Sequence, residues 1–518
     1  MTSQASPSIV VARGASYLFI QGLVAKVAGV IYFAFAARIL SVAEIGVVSA
    51  LGMVAALFIT FGTLALPSAA TKYISEYLGK DRRDLAKGVY KKVLQFGFSV
   101  SSLLSLLCIV ASTFISVFVF GSQAYQLLIN LLALDVFALL LSSFFTGTLF
   151  GLQKFREIAF AGIMLSCLRY GSSLYLLIQG YGLMGLVIGW VIGDFVGLGL
   201  LFFFTSTSFE IRAAPHPFMK LVGYSAPLYM TGILSYFSAY VDKFIILFLA
   251  GFTTLGIYSV AVMAASVIGF VSSSIGNSLF PQLSELYGRH GRDALKVASI
   301  KASRYIFLIF VPLAVGLAAT SYPTIMLFVG ASYESGWLPL TMISMAMALT
   351  CAGVVVNNLL LSLGFTRTFF EANMLGVVVG AVCCALLVAP FGSSGAALGR
   401  VALMTTSFGY LAYTLRRVFG LHFDPDAFKK SLVGSTVMAI AVGLLQFVWL
   451  DGRLLPLYVF VGGVIYVLML RFLKAVDNQD IKLLHQFLPK YLGGIIDVFA
   501  RFLNIEEKLK GSRNGQAP

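Results

Sequence analysis

The chain has 518 residues, 59% of them hydrophobic and 11% charged, with a formal net charge of +15 and a mean hydropathy of +0.94. Soluble domains carry about 25% charged residues, so this composition excludes water as the main solvent and leaves no soluble domain to hold a catalytic centre or a nucleic-acid groove. In lipid every backbone polar group must be satisfied within its own segment or in a closed barrel. The long, unbroken apolar runs predict helices rather than alternating barrel strands.

A spanning helix needs about 20 apolar residues. In chain order the runs predict fourteen transmembrane helices, at 14–37, 44–66, 93–117, 124–150, 157–179, 182–204, 221–250, 253–279, 303–328, 337–363, 370–389, 394–415, 431–450 and 454–473. The first run is too long for a cleavable signal peptide and is read as span 1. The connections at 179–182 and 250–253 are tight hairpins on one face.

The opposite face collects charge. Its loops hold Lys72, Lys80, Arg82, Arg83, Lys87, Lys91 and Lys92, then Lys154 and Arg156, then Arg212 and Lys220. Further on come Arg289, Arg292, Lys296, Lys301 and Arg304, then Arg367, and finally Arg416, Arg417, Lys429 and Lys430. These 21 basic residues face only Arg38 and Arg453 on the other side. The positive-inside rule then places both termini in the cytoplasm of a cell (cytoplasmic) membrane, which requires an even number of spans. The +15 charge is accounted for this way, and no nucleic-acid partner is expected. Beyond the last span, Ile481, Leu484, Phe487, Leu488, Ile495, Ile496, Phe499, Phe502 and Leu503 recur at helical spacing among charges. Residues 474–518 are therefore predicted to form an amphipathic tail on the cytoplasmic membrane surface.

The chain also resembles itself at a shift of 209 to 210 residues. Ser75-Glu76-x-x-Gly79-Lys80-x-x-Arg83-Asp84-x-x-Lys87 matches Ser284-Glu285-x-x-Gly288-Arg289-x-x-Arg292-Asp293-x-x-Lys296. Gly182-x-x-Gly185-x-x-x-Gly189 matches Gly392-x-x-Gly395-x-x-x-Gly399, and Gly151-Leu152-Gln153-Lys154 aligns with Gly364-Phe365-Thr366-Arg367 at a shift of 213. Small residues recur wherever membrane helices pack closely, but three blocks in one order at nearly one shift indicate a duplication. The predicted organisation is an N-terminal six-helix bundle (1–217), a C-terminal six-helix bundle (218–420), two additional spans (421–473) and the tail. The shift crosses six spans, so the halves share an orientation. Parallel repeats of this kind are a transporter plan, with the substrate path where the halves meet.

This plan resembles the polysaccharide transporter family of the multidrug/oligosaccharidyl-lipid/polysaccharide exporter superfamily, the O-antigen and lipid-linked oligosaccharide flippases. The residues that carry the resemblance are Ala12-Arg13-Gly14-Ala15-Ser16, Ala37-Arg38-Ile39-Leu40 through Glu44-Ile45-Gly46, the Glu76, Gly79, Arg83 and Asp84 loop with its second copy, and Gly182, Gly185 and Gly189. The resemblance implies two bundles around a central cavity, and a polyprenyl- or dolichyl-(pyro)phosphate-linked glycan that crosses it by alternating access. Lipid II-type peptidoglycan precursor flippases and cation-coupled multidrug exporters share the plan and stand as alternatives.

Charges at bilayer depth are costly and mark function. Lys26 lies near mid-span, with no carboxylate at i±3 or i±4 on its own helix. A cation there suits a lipid-linked phosphate, and a structural pairing with Asp242 or Asp135 is the competing reading. Arg13, at the cytoplasmic entrance, and Arg400, toward the outer half of span 12, are the other basic substrate candidates. Tyr236 and Asn277 represent a wider group (Gln21, Tyr229, Tyr240, Asn357, Asn358, Asn373) suited to sugar hydroxyls or, equally, to helix–helix hydrogen bonds. Asp242 and Asp135 are candidates for a coupling H⁺ or Na⁺. Arg169 and Asp194, at similar depth on adjacent spans, are expected to form a structural ion pair.

The five cysteines lie within apolar runs and the four histidines are scattered, so neither a metal site nor a cofactor is expected. No nucleotide-binding or hydrolase motif is present, and the outer loops are too short for a glycosyltransferase, so no enzyme is expected. The expected partners are the glycolipid and the surrounding membrane lipids. Two pseudo-symmetric halves complete a pathway in one chain, which makes a monomer sufficient.

Overall fold

The computed structural model describes residues 7–208, 214, 217–420 and 423–476, without the side chains of 7–12, 273–275, 277, 278, 280–282, 292, 293 and 419. The predicted tail beyond 476 and the Asn277 side chain lie outside these described residues. Every regular element among them is helical. The α-helices are α1 (Pro7–Ile39), α2 (Val42–Thr63), α3 (Leu66–Gly79), α4 (Arg83–Val110), α5 (Ser112–Phe118), α6 (Gln126–Gly151), α7 (Phe155–Ile178) and α8 (Gly182–Ser206). They continue with α9 (Phe218–Ala319), α10 (Ser321–Phe328), α11 (Trp337–Thr350), α12 (Gly353–Ser362), α13 (Thr366–Phe419), α14 (Pro425–Val448) and α15 (Leu455–Phe472). The protein is an all-α membrane protein.

Eleven of these segments are long and apolar enough to cross a membrane, or twelve if the bent pair Ala331–Thr350 and Gly353–Ser362 is one span. The fourteen expected from hydropathy are not reached by this count. The physical reason lies in two segments, Phe218–Ser272 and Thr366–Val418, of 55 and 53 residues, each more than twice the length that about 30 Å of hydrocarbon requires. Both are interrupted by glycine in the left-handed region, Gly251 at φ +74 and Gly392 at φ +55, a conformation open to glycine at little cost. Gly251 falls in the hairpin predicted at 250–253, and Gly392 in the gap between the spans predicted at 370–389 and 394–415.

The chain forms two compact units. One comprises Met1–Val267, Phe328–Gly336 and Asn373–Leu403, the other Ile268–Leu327, Trp337–Ala372 and Met404–Pro518.

Backbone seams hold the first unit together. On α8, a Cβ at Gly189 would overlap the Ser173 backbone of α7, one at Gly193 the Arg169 backbone, and one at Gly197 the Leu165 side chain. The same device recurs on α13, where Gly395 lies against Leu387 and Gly399 against Cys384. The repeated glycine motif is thus the contact stripe of two tight hairpins, the small-residue packing that replaces the hydrophobic effect in lipid. The family-like segment around residue 44 is equally structural. Ser41 caps α2, its hydroxyl accepting from the Glu44 amide (3.3 Å) while the Glu44 carboxylate accepts from the Ser41 amide (2.8 Å), a capping box. Gly46 lets the Phe252 backbone approach α2. On α3, Thr71 and Ser75 donate to the Gly147 and Gly151 carbonyls of α6 at 2.8 and 3.0 Å.

In the second unit Ser431 of α14 donates to the Phe307 carbonyl (2.7 Å) and Tyr466 of α15 donates to that of Leu308 (2.9 Å). Gly434 and Gly462 let α14 and α15 pack closely. Replacing Gly189 by Leu should destabilise the protein by about 1–3 kcal/mol through overpacking. Gly199→Ala, on the same helix with open space at its Cβ, should leave the unfolding temperature within a degree or two; thermal unfolding in detergent measures both.

Candidate functional site

The first unit gathers the deep charges into two buried clusters and one isolated cation. In the first cluster the Arg169 guanidinium of α7 donates to Asp194 of α8, and also reaches Asp135 of α6 at 3.5 Å. It lies 4.7 Å from the Trp190 ring centre. The Trp190 indole donates to the Tyr32 hydroxyl at 3.1 Å, and Tyr32 stacks on Tyr170 at 4.9 Å. Asp135 and Asp194 are fully buried. One guanidinium therefore serves two carboxyl groups, and Asp135 Oδ2 and Asp194 Oδ1 are left without a hydrogen-bond partner among the described residues.

The second cluster sits where α9 and α13 meet within the same unit. Arg400 donates to Asp242 Oδ2 at 2.5 Å, Tyr258 donates to the same oxygen, and the Lys243 amide donates to Oδ1 at 2.8 Å. Both oxygens of Asp242 are satisfied, as a buried carboxylate requires. The Lys243 ammonium lies 5.5 Å from the Tyr240 ring centre.

Lys26 stands apart. Its ammonium donates to Ser266 Oγ at 2.5 Å, and that hydroxyl spends its own proton on the Met263 carbonyl at 2.5 Å. The serine thus offers a neutral lone pair, not a counter-charge. Among the described residues no carboxylate lies within ion-pair distance of Lys26, so the pairing with Asp242 or Asp135 weighed from sequence is absent here. The side chain is half-buried.

The remaining candidates fall out as follows. Arg400 and Asp242, expected to meet substrate and ion separately, are bound to each other. Tyr236 is buried and donates to the Met53 carbonyl at 3.1 Å, which ties α9 to α2. Arg13 is exposed on α1. Gln21 of α1 lies against Gly162 of α7. In the second unit Asn358 donates to its own helix at Val354 (2.8 Å). Tyr258, Trp190, Tyr32 and Ser266 were not identified from sequence; each completes a charged group from a different helix, and no spacing rule connects them. No group of three His, Cys, Asp or Glu suited to a metal occurs among the described residues.

Removing Arg400 leaves Asp242 buried and uncompensated, which should cost about 3 kcal/mol. Arg400→Met should accordingly lower the unfolding temperature sharply, and the double change Asp242→Leu with Arg400→Met should recover most of the loss.

The fold has solved relatives. It is similar to lipid II flippase MurJ in an inward closed conformation, with a TM-score of 0.70 and 17% identity over 87% of this chain and 97% of the other. It is also similar to a MOP superfamily transporter from Pyrococcus furiosus, described by the reverse polarity of its binding pocket (TM-score 0.59, 13% identity, 80% and 96% covered). Among curated proteins it is 22% identical to an uncharacterized membrane protein of Methanocaldococcus jannaschii, over 82% of this chain and 88% of that one. Residues 35–339, more than half of the chain, match the family described as polysaccharide biosynthesis protein. The chain belongs to that family, and its fold is the one shared by MurJ and the MATE transporters of the MOP superfamily.

Proposed function

We propose that the protein is a flippase that carries a polyprenyl- or dolichyl-(pyro)phosphate-linked oligosaccharide across the cytoplasmic membrane by alternating access. The observation that carries the reading is the isolated Lys26 ammonium. Of the seven deep charges in the first unit, Asp135, Asp194 and Asp242 are bonded to Arg169 or Arg400. Lys243 follows Asp242 in the chain with its ammonium 5.5 Å from the Tyr240 ring centre, and Lys26, away from every acid among the described residues, meets only a serine hydroxyl. A cation held at span depth without a counter-ion attracts a mobile anion, and the phosphate of a glycolipid supplies one. A multidrug exporter for cations would need a free carboxylate in that place, and a lipid II-type flippase differs only in the glycan. Membership of the polysaccharide biosynthesis family favours the oligosaccharide. Arg13, exposed on the same helix, is proposed to meet the phosphate before Lys26 does.

The test is leaflet transfer of a fluorescent, short-chain polyprenyl-pyrophosphate sugar in proteoliposomes. Lys26→Ala is expected to slow transfer at least tenfold and Lys26→Arg to retain most of it. Equal rates for wild type and Lys26→Ala would remove the basis for an anionic substrate.

For energy coupling we propose a proton at the Asp135–Arg169–Asp194 cluster. Two carboxyl groups around one guanidinium need one further positive charge, and each has an oxygen without a hydrogen-bond partner among the described residues to carry it. Asp242, by contrast, is satisfied on both oxygens. Asp135→Asn is expected to make leaflet transfer insensitive to an imposed pH gradient while leaving gradient-free exchange within about twofold. An unchanged response to the gradient would place coupling elsewhere.

A further inference from the structure

A second group of cations lies at the end of the spans in the first unit. Lys72, exposed on α3, has its ammonium 4.1 Å from the centre of the Tyr224 ring and 4.8 Å from that of Tyr73. Lys220, at the start of α9, reaches the same Tyr73 ring at 5.4 Å. The rings are fixed in place. Tyr73 is buried, stacks on Tyr77 at 6.2 Å and meets Tyr224 edge-on at 5.9 Å, within an apolar cluster that includes Leu66, Ile74 and Leu221.

An aromatic face attracts a cation only weakly at an exposed site, and two ammonium groups drawn to one ring repel each other. Their charge is not met locally. Glu76 feels both lysines but is bonded to Lys80 at 2.6 Å, which holds its carboxyl below the usual carboxylate range. Arg82 and Asp84 satisfy each other at 3.1 Å. Among the described residues no carboxylate lies within ion-pair distance of Lys72 or Lys220.

The internal repeat separates scaffold from site. The Glu76–Lys80 pair recurs in the second unit as Glu285–Arg289 at 2.7 Å. At the same shift, Lys72 and Tyr73 become Pro281 and Gln282. The ion pair belongs to both copies of the loop, whereas the cation–ring cluster belongs to the first alone. It therefore exceeds what topology anchoring requires of both copies.

We infer that Lys72 and Lys220, held over the Tyr73 and Tyr224 rings, form a binding site for the phosphate headgroup of an anionic membrane lipid. The place fits that ligand. α3 joins two spans, so it lies at headgroup level, where tyrosine and lysine together face an anionic surface. Exposed Arg83, Lys91 and Lys92 on the same side add a diffuse field, but no ring arrangement. The inference does not depend on which glycolipid the protein carries.

Full-length protein, delipidated in detergent, is titrated with phosphatidic acid and with phosphatidylcholine of the same chains, and bound lipid is counted by native mass spectrometry. Lys72→Gln with Lys220→Gln should weaken phosphatidic acid at least fivefold and leave phosphatidylcholine and the unfolding temperature unchanged. Tyr224→Leu, which removes the closer ring under Lys72, should weaken it at least twofold. Lys91→Gln with Lys92→Gln should stay within twofold of wild type. Equal binding by wild type and the Lys72/Lys220 variant overturns the site. So does an equal loss in the Lys91/Lys92 variant, which would show charge alone at work. Displacement of the lipid by low-millimolar inorganic phosphate would reassign the site to a free anion and overturn the lipid assignment.

Discussion

A carboxylate or an ammonium inside hydrocarbon has no water to solvate it, so it must find a partner in the protein or hold one that arrives from outside. That constraint organises the first unit. Asp135 and Asp194 converge on Arg169, and Asp242 takes Arg400 together with Tyr258. The arginine is suited to this because its planar, permanently charged fork donates to several acceptors at once. Asp242 is matched by Arg400, and Asp135 with Asp194 needs only one proton beyond Arg169, so the cation left over at depth is a lysine. Lys26 shows it most plainly, its ammonium resting on a serine lone pair.

The glycines and the charges belong to one construction. Gly193 lets the backbone of α8 close on Arg169 of α7, and the next residue, Asp194, is thereby delivered to the guanidinium. On α13, Gly399 closes on Cys384, and the next residue, Arg400, is delivered to Asp242. In each hairpin a glycine at a close helix contact precedes the charged residue, although Gly193 and Gly399 are not equivalent positions of the repeat. A side chain on either glycine would push the helices apart and strand a buried charge.

Much of the fold was legible because hydrocarbon imposes simple rules. Span length, helical class, the repeated glycine stripe and the positions of the hairpin turns all follow from apolar run length and small-residue spacing. The span count was less secure, since helices that turn at Gly251 and Gly392 remain helical almost up to the turn. At the site, proximity in the chain decided what could be read. Arg169 and Asp194 flank one short hairpin at similar distances from its turn, so their meeting is visible in sequence. Asp242 and Arg400 are 158 residues apart, Tyr258 joins them from the other leg of α9, and Ser266 meets Lys26 across 240 positions. Tertiary register sets those contacts, and no spacing encodes it. Tyr236 and Arg400 were accordingly assigned to a substrate, while the fold directs both to protein partners.

The central claim is that the unmatched charge at span depth selects an anion. The most direct measurement is equilibrium binding of a polyprenyl pyrophosphate to the purified protein, set against a quaternary ammonium amphiphile of equal chain length. Preferential binding of the pyrophosphate, lost when Lys26 becomes alanine, is the result this account requires. Tighter binding of the ammonium amphiphile, unaffected by that change, would contradict it.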